Sequence, residues 1–400
     1  MVLERDTGEG GMGERQRVQI AGVSVSVDHY IGGVRISSPS TFEDRSPLDW
    51  STVLADVSAG DASTADAALT AAADAFEGWA ALGPSGRAPY LRRLADLIDE
   101  RVPDIAAVEC VDMAMRHESL RNRVIGRGAR NFRAYAELAE QHVDRTWASN
   151  GTANRVQRLP AGPAVVITPW NAPFMLATWK LAPALAAGNP VVLKPAEWSP
   201  LSASLLADLV DEAGLPPGVF NVVHGAHETV DYIIDEPAIR AISFVGSNPA
   251  GEYIHERATK LGKRVQANLG AQNHGTVMPD ADKEAMMNGL TGSAFGAAGQ
   301  RCMALSRAIF VGDSKDWIPE LAERSAALKV GAGDDPDADL GPVISKESKE
   351  RVLHLIQSGL DQGAEIILDG RDCQVEAGLE NGNFVGPTIL KLPWDKATEM

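Results

Sequence analysis

Cysteine is scarce in this 400-residue sequence, which contains only Cys110, Cys302 and Cys373. An odd and sparse set argues against a disulfide framework and favours a reducing compartment. Cys110 follows the apolar pattern of a helical stretch and is expected to be a small core residue. Cys373 lies in the polar run DGRDCQVE and is expected to be an exposed loop residue without a role.

Basic residues and long apolar runs are also few. The 37 lysines and arginines stand against 54 aspartates and glutamates, which gives a formal net charge of −17. Without a long Lys/Arg run, we expect no nucleic-acid or anionic-membrane partner. The apolar stretches are interrupted well short of a membrane span, and residues 1–17 lack the apolar core of a signal peptide. We therefore expect a cytoplasmic protein with a flexible leader at 1–17.

The rest of the chain predicts two α/β regions. Residues 18–60 resemble short strands and turns, and residues 63–144 have the apolar spacing of helices. From 163 to 270, short β-branched runs alternate with helical segments, which indicates parallel strands joined by crossovers in a doubly wound sheet. A second α/β stretch begins near His274. Ligands in such sheets bind at the carboxyl ends of the strands, so the residues that follow each strand are candidates for a site.

Two of these strand ends carry polar residues that allow more than one interpretation. Lys194 ends a strand with Glu197 three residues later, and this pair suits the two hydroxyls of a ribose or is a surface ion pair. Asn171 follows another strand, where its amide can stabilise a developing oxyanion or simply form a turn.

A third strand end opens a helix. Gly246 and Ser247 precede Pro249, a sequence that suits a tight turn, a cap and a first helical turn. A pyrophosphate at such a helix start would meet free N–H groups, although many strand–helix turns have this sequence.

Motifs for other chemistries are missing. The sequence contains no GxxxxGK followed by Ser or Thr, no GxSxG and no HExxH. His224 and His227 are close in sequence, but no Cys or carboxylate set supplies further ligands, so we predict no metal site. Cys302 lies among small residues in FGAAGQRC, where backbone can approach a ligand and the adjacent Arg301 can favour the thiolate.

Together, TPWNAPF, VVLKPAE, FVGSxxxG and GQRC, in this order, resemble the NAD(P)-dependent aldehyde dehydrogenase superfamily. The resemblance implies an α/β aldehyde dehydrogenase fold with a Rossmann-like NAD-binding domain, a catalytic domain and a β-ribbon oligomerisation arm. The corresponding bounds are 18–144 and 161–270 for the NAD-binding domain, 145–160 for the ribbon and 271–400 for the catalytic domain. A homodimer or homotetramer is expected if the arm is complete.

The resemblance also assigns roles to residues. It implies that Cys302 is the nucleophile and that the Asn171 side chain and the Cys302 N–H stabilise the oxyanion. The residues that it implies for cofactor binding are Thr168, Trp170, Lys194, Glu197, Trp198, Gly246, Ser247 and Leu269.

One departure points to a branch of the superfamily. Most members carry Glu in a Glu-Leu-Gly-Gly motif, where it activates the water that hydrolyses the enzyme thioester, but this chain has Asn268 in NLGAQNH. An amide cannot accept a proton, whereas coenzyme A needs less help, because a thiol already supplies some thiolate near neutrality. NLGAQNHGTVMPDADKE and AFGAAGQRCMALS resemble the CoA-acylating methylmalonate-semialdehyde dehydrogenases. The expected cofactors are therefore NAD, with coenzyme A as co-substrate.

Substrates of that branch carry a carboxylate beside the aldehyde. The resemblance implies that two arginines grip it, and Arg301 and the Arg127–Gly128 pair match them. The alternative for Arg127 is a solvated helix residue, because other arginines surround it.

Two features of the sequence favour other functions. VIGRGARNFRAYAELAEQ and LPAGPAVVITPWNAPFMLATWK look more like hydroxymuconic-semialdehyde dehydrogenases, which hydrolyse their thioester. Members of the superfamily also continue with a Glu-x-Phe-Gly-Pro motif, and the chain ends before it. We therefore expect an incomplete catalytic domain, and the alternatives are a hydrolytic enzyme, an inactive NAD-binding scaffold, or a fragment that needs a partner chain.

Overall fold

The computed structural model describes residues 16–392, so the leader predicted at 1–17 lies almost wholly outside the described residues. Short strands predominate before residue 60, as the sequence predicts. In chain order the strands are β1 (Arg17–Ile20), β2 (Val23–Ser26), β3 (His29–Ile31), β4 (Val34–Ile36), β5 (Thr41–Arg45), β6 (Val53–Ser58), β7 (Arg145–Ser149), β8 (Thr152–Val156), β9 (Ala164–Ile167), β10 (Val191–Lys194), β11 (Phe220–Val222), β12 (Ala241–Val245), β13 (Arg264–Asn268), β14 (Asn273–Val277), β15 (Leu305–Phe310), β16 (Glu365–Leu368) and β17 (Ile389–Lys391).

Helices fill the region between β6 and β7 and alternate with strands after β9. Among the described residues, none of the helices combines the length and apolarity needed to cross a membrane. In chain order the helices are α1 (Ala62–Ala81), α2 (Gly83–Glu100), α3 (Val102–Met113), α4 (His117–Ser119), α5 (Gly126–Gln141), α6 (Pro173–Ala186), α7 (Leu201–Glu212), α8 (His227–Asp235), α9 (Asn248–Lys260), α10 (Lys283–Phe295), α11 (Ile318–Ala326) and α12 (Lys346–Asp361).

The predicted helical region is interrupted once. Ala114 adopts a left-handed φ of 53°, and a π-helical turn follows α4 before α5 begins. A left-handed alanine ends a helix, because its Cβ crowds the next carbonyl. The N–H of His117 donates to the carbonyl of Gly333 at 2.8 Å, so this break is held by a contact distant in sequence.

The described chain divides into two compact units. The first consists of 16–44, 55–109 and 121–269, and the second of 45–54, 110–120 and 270–392.

A seven-stranded sheet is the centre of the first unit, with strand order β13-β12-β9-β10-β11-β3-β4. β9 to β13 run parallel, while β3 is antiparallel to β11 and pairs with β4. The predicted doubly wound parallel arrangement is thus confirmed. β9 and β10 are buried along their whole length, which explains why AVVI in β9 and VVL in β10 are consecutive apolar residues rather than alternating ones.

Helices cover both faces of this sheet. α1, α8 and α9 pack on one face over a core that includes Val165, Val192 and Ile242. α6 and α7 lie on the other face, and α2 and α5 pack against α6. The predicted ribbon begins as an antiparallel hairpin of β7 and β8. Asn150 and Gly151 both have positive φ at its tip, as a two-residue hairpin turn requires.

The second unit has a smaller core. β14 pairs in parallel with β15, and α10 connects them. Val277, Met287, Leu290 and Leu321 form the buried cluster beneath them. β16 and β17 add an antiparallel pair. Cys110 is buried in this unit, as predicted, and burial raises the pKa of its thiol to about 12.

Cys373 differs from its prediction. It is half-buried rather than exposed, because Gly386 passes close to it, where an added Cβ would lie 2.9 Å from the Cβ of Cys373.

Candidate active site

Three neighbouring strands of the first unit end at the same edge of the sheet. β10 and β12 pair with opposite sides of β9, so that Lys194 and Phe244 both lie opposite Ile167. The segments that follow these strands therefore lie side by side at the carboxyl edge. From β9 the chain adds β10 and β11 on one side and then β12 and β13 on the other, so the strand order reverses at β9. Open parallel sheets bind ligands at such a point.

Lys194 and Glu197 form an ion pair at the end of β10, with Nζ 3.2 Å from Oε2. The lysine side chain is only 5% exposed and the glutamate side chain is 40% exposed. Burial lowers the pKa of Lys194, and the Glu197 carboxylate opposes that shift. The second carboxylate oxygen of Glu197 and the buried ammonium of Lys194 are thus the polar groups that a ligand at this edge of the sheet would meet.

Thr168 and two tryptophans follow the ends of β9 and β10. The backbone N–H of Thr168 donates to the carbonyl of Lys194 at 3.2 Å. Its hydroxyl is buried without a hydrogen-bond partner among the described residues. The rings of Trp170 and Trp198 are 6.2 Å apart at 43°, both are partly exposed, and Trp198 directly follows Glu197 in the chain.

Ser247 caps α9 at the end of β12. Its hydroxyl accepts from the N–H of Ala250 at 3.5 Å, and Pro249 lies in the first turn, as predicted. A Cβ at Gly246 would lie 2.4 Å from the ring of Phe244, and one at Gly251 would lie 2.0 Å from Cδ2 of Leu269. Only glycine at these two positions allows the turn to approach Phe244 and α9 to approach Leu269 this closely. Leu269 therefore packs under α9.

Asn171 directly precedes the N-cap residue of α6. The Glu109 carboxylate, which is fully buried, accepts from the N–H of Phe174 in the first turn at 3.1 Å. A carboxylate at this position satisfies a helix N–H and complements the positive end of the helix dipole. Glu109 therefore fixes the turn that holds Asn171, a role that nothing in the local sequence indicated.

Arg127 lies in the first turn of α5 and is exposed. The following Gly128 allows α5 to approach α6, since an added Cβ would lie 2.8 Å from the ring of Phe174. Asn131 joins the two helices by donating to the hydroxyl of Thr178 at 3.0 Å. The Arg–Gly pair thus sets Arg127 next to the α5–α6 contact.

Asn268 ends β13, at the edge of the sheet, and Lys180 reaches it from α6. The ammonium of Lys180 donates to Oδ1 of Asn268 at 2.5 Å and to Oε1 of Gln266 at 3.2 Å. Lys180 is 8% exposed, and burial lowers its pKa. The sequence did not predict this lysine, because no local signal shows which strand an α6 residue faces.

Cys302 lies in the second unit, in a loop with an uncommon backbone. Ala297 and Ala298 both adopt left-handed φ angles, 56° and 52°, and Gly299 follows at 75°. Two consecutive non-glycine residues in this region cost about 1–2 kcal/mol each and persist only where neighbours hold them. Cys302 itself is partly exposed.

Two amide side chains hold this loop. Gln300 donates to the carbonyl of Pro342 at 3.1 Å and accepts from the N–H of Ile344 at 2.8 Å. Asn273 donates to the carbonyls of Cys302 and Ala304, both at 2.8 Å. These bonds fix the backbone on either side of the thiol, and the local sequence marks neither residue for this role.

Arg301 folds back onto the end of α10. Its guanidinium donates to the carbonyl of Gly292 at 3.5 Å and lies against Gly296, where an added Cβ would be 2.4 Å from Nη1. A cation at a helix C-terminus is favourable. The described side chain thus interacts with its own unit, and its joint grip with Arg127 stays a prediction.

The residues predicted for cofactor binding fit a dinucleotide. The orphaned hydroxyl of Thr168, the Lys194–Glu197 pair and the capped start of α9 occupy adjacent strand ends of one sheet. This donor set suits ribose hydroxyls and a pyrophosphate. Among the described residues, no group of three or more metal-ligating side chains occurs.

Comparison with known proteins identifies the family. The aldehyde dehydrogenase family model matches residues 34–398. The probable mitochondrial, acylating methylmalonate-semialdehyde/malonate-semialdehyde dehydrogenase of Dictyostelium discoideum is 47% identical over 81% of this chain and 62% of its own length. The mitochondrial enzyme of that name from Rattus norvegicus is also 47% identical, over 81% of this chain and 61% of its own length. The chain thus spans about three fifths of the length of the curated relatives it matches.

Solved structures give the same result. A putative methylmalonate-semialdehyde dehydrogenase from Sinorhizobium meliloti, complexed with NAD, superposes with a TM-score of 0.86 at 35% identity, covering 91% of this chain and 74% of its own. The methylmalonate-semialdehyde dehydrogenase of Oceanimonas doudoroffii also gives 0.86 at 35% identity, over 91% and 75% of the two chains. The predicted aldehyde dehydrogenase fold is confirmed, and the chain belongs to the aldehyde dehydrogenase family.

Proposed function

We propose that this protein oxidises malonate or methylmalonate semialdehyde with NAD and transfers the acyl group to coenzyme A. The observation that favours this function is Asn268, which stands where most members have the glutamate that activates water. A side-chain amide has no basic atom to offer to water, and the amide oxygen of Asn268 already accepts from the Lys180 ammonium. The acylating relatives of Dictyostelium and rat support the same substrate class.

Acylation begins at Cys302 in this proposal. Its thiolate adds to the aldehyde carbon, and the carbonyl oxygen becomes an oxyanion that the Asn171 amide and the Cys302 N–H stabilise. The substrate carboxylate is bound by Arg127 and Arg301 through charge-assisted hydrogen bonds. Loss of hydride from the former aldehyde carbon leaves a thioester on Cys302.

The cofactor supplies the hydride acceptor when bound. Lys194 and Glu197 hold its adenosine ribose, and the start of α9 with Ser247 and Gly246 holds the pyrophosphate. Thr168, Trp170, Trp198 and Leu269 line the remainder of its path.

Decarboxylation and transfer complete the sequence. The bond between the carboxylate and the α-carbon breaks, carbon dioxide leaves, and its electron pair forms a thioester enolate that takes a proton. Coenzyme A, as its thiolate, then attacks the thioester carbon, and the Cys302 sulfur leaves as a thiolate. The products are acetyl-CoA or propionyl-CoA.

A hydrolytic dehydrogenase is the second candidate. The segments around Arg127 and Asn171 favour it, because VIGRGARNFRAYAELAEQ and LPAGPAVVITPWNAPFMLATWK resemble hydroxymuconic-semialdehyde dehydrogenases. Turnover without coenzyme A would identify this function.

We also propose a homo-oligomer that pairs through residues 145–160, and a cytoplasmic location. The β7–β8 hairpin supports the first, since it is exposed along both strands and carries Trp147 at its surface. The three unpaired cysteines support the second.

The test is an NADH absorbance trace with malonate semialdehyde and NAD, with and without coenzyme A. We expect turnover only when coenzyme A is present, and no NADH from a Cys302→Ala variant that still binds NAD. A Cys373→Ala variant is the matched control and should turn over like the parent. Equal turnover without coenzyme A would replace this function by the hydrolytic one.

A further inference from the structure

Lys180 is a nearly buried ammonium whose partners are amides rather than carboxylates. It donates to Asn268 at 2.5 Å and to Gln266 at 3.2 Å. Among the described residues, no carboxylate forms an ion pair with it. Its positive charge is therefore not neutralised within the described chain.

The ammonium decides which way both amides face. Because a lysine ammonium has donors and no acceptor, the atoms turned to it must be the amide oxygens. The oxygen of Gln266 also accepts from the hydroxyl of Ser243 at 3.2 Å, which fixes its orientation further. The NH₂ groups of Asn268 and Gln266 consequently point away from Lys180.

These NH₂ groups share one face of β13. Residues 266 and 268 are two apart on a strand, so their side chains project to the same side. Both are exposed, whereas Lys180 is 8% exposed. We call Lys180, Gln266 and Asn268 the donor cluster, because it offers N–H groups outward with a cation behind them.

We propose that the donor cluster binds an anionic sulfur, the thiolate of the coenzyme A co-substrate, and this inference rests on the proposed function. Activation of water needs a proton acceptor, and the donor cluster has none facing outward. Hydrogen-bond donors and a nearby positive charge favour the ionised form of a thiol. The cluster is therefore suited to a thiol nucleophile and unsuited to a neutral water.

The proton balance of this step is simple. The thiol of coenzyme A releases its proton to solvent, and the thiolate remains at the N–H groups of Asn268 and Gln266. Lys180 acts as a positioning residue for the two amides and as the source of the positive potential.

The experiment measures the ionisation of the thiol of bound coenzyme A by its ultraviolet absorbance across pH, with desulfo-coenzyme A as the blank. We expect the pKa of the bound thiol to lie at least about one unit below that of free coenzyme A measured in the same way, which gives about a tenfold larger thiolate fraction near neutrality. Lys180→Met should return the pKa to the free value. Asn268→Asp neutralises Lys180 and removes the outward donor, so it should raise the pKa at least to the free value, and it covers the case in which Lys180→Met fails to fold.

Lys260→Met is the matched control, because Lys260 is exposed and paired with Glu256 on α9. It should leave the pKa of the bound thiol unchanged. The inference is overturned if the bound thiol ionises like free coenzyme A, or if Lys180→Met leaves a lowered pKa in place. The inference is also overturned if the donor cluster binds a carboxylate instead of a thiolate. In that case 3-hydroxypropionate, which has a carboxylate but no aldehyde, would bind in a Lys180-dependent way and the pKa of the bound thiol would not change.

The pKa of the bound thiol can be measured without turnover of the substrate. CoA-dependent NADH formation with an unshifted thiol pKa would reject the donor cluster and keep the proposed function. A lowered, Lys180-dependent thiol pKa without NADH formation would reject the dehydrogenase and keep the donor cluster.

Discussion

In the proposed function, single residues decide which nucleophile can discharge a thioester on Cys302. Asn268 is visible in the sequence as a departure from a motif, so the loss of a base could be predicted. Lys180, which orients that amide, could not, because its partners are 86 and 88 positions away in the chain. The same holds for Glu109, which is 65 positions from the helix start it caps.

Arg127 is the residue whose role is most open to a direct test. We expect Arg127→Ala to raise KM for malonate semialdehyde about 10- to 100-fold, as loss of a charge-assisted bond worth about 1.5–3 kcal/mol implies. The KM for propanal, which has no carboxylate, should change much less. Arg123→Ala is the control, since Arg123 is also exposed and precedes α5. An equal rise in KM for malonate semialdehyde and propanal would contradict a contact between Arg127 and the substrate carboxylate.

At the scale of elements, sheet positions were easier to predict than helix contacts. β9 and β10 are short β-branched runs between turn residues, and period and length suffice to recognise them. The approach of α5 to α6 depends instead on Gly128, which looks like any glycine in a helical sequence. The left-handed loop before Cys302 was equally hidden, because alanines at 297 and 298 give no signal for positive φ.

Gly128→Ala tests the α5–α6 contact. The added methyl would lie 2.8 Å from Phe174 and 3.1 Å from Thr178, so we expect a loss of about 1–3 kcal/mol in the free energy of unfolding. Gly126→Ala is a matched control in the same helix, where nothing lies within 4 Å of the new Cβ. It should be neutral or slightly stabilising because alanine favours helix. Urea unfolding measures both, and equal effects would contradict the packing argument.

At the scale of the whole molecule, a buried histidine pair couples folding to pH. His29 and His224 stack with ring centroids 5.8 Å apart, and Nδ1 of His29 accepts from the backbone N–H of His224 at 3.1 Å. Burial lowers the pKa of His29 to about 4 and that of His224 well below its ordinary value, and each ring therefore stays neutral in the folded chain.

The direction of this pH dependence follows from the difference between the pKa values of His29 in the folded and unfolded chain. The unfolded chain takes up a proton on His29 near pH 6.5 and the folded chain near pH 4, so the stabilisation is complete above pH 6.5 and is lost as the pH falls towards 4. For His29 the loss is about 3 kcal/mol. We expect the pH dependence of the unfolding free energy in this window to be shallower in His29→Gln. His227→Gln, at a side chain 84% exposed, should match the parent, and a parent-like slope in His29→Gln would contradict the account.

The family and fold were predictable at this scale because four motifs occur in a fixed order along the chain. The strand–helix alternation places three of them, TPWNAPF, VVLKPAE and FVGSxxxG, at strand ends, whereas GQRC lies in the loop between α10 and β15. The division into units was less visible, since residues 45–54 and 110–120 are grouped with the carboxyl-terminal part through contacts distant in sequence.

The most direct test of the central claim is the intact mass of the chain after mixing with malonate semialdehyde and NAD. Without coenzyme A, we expect an acyl adduct on Cys302 that persists, because Asn268 cannot activate water to remove it. Added coenzyme A should remove the adduct and yield an equal amount of acetyl-CoA. An adduct that disappears in buffer alone would contradict the account, as would a chain that never acquires one.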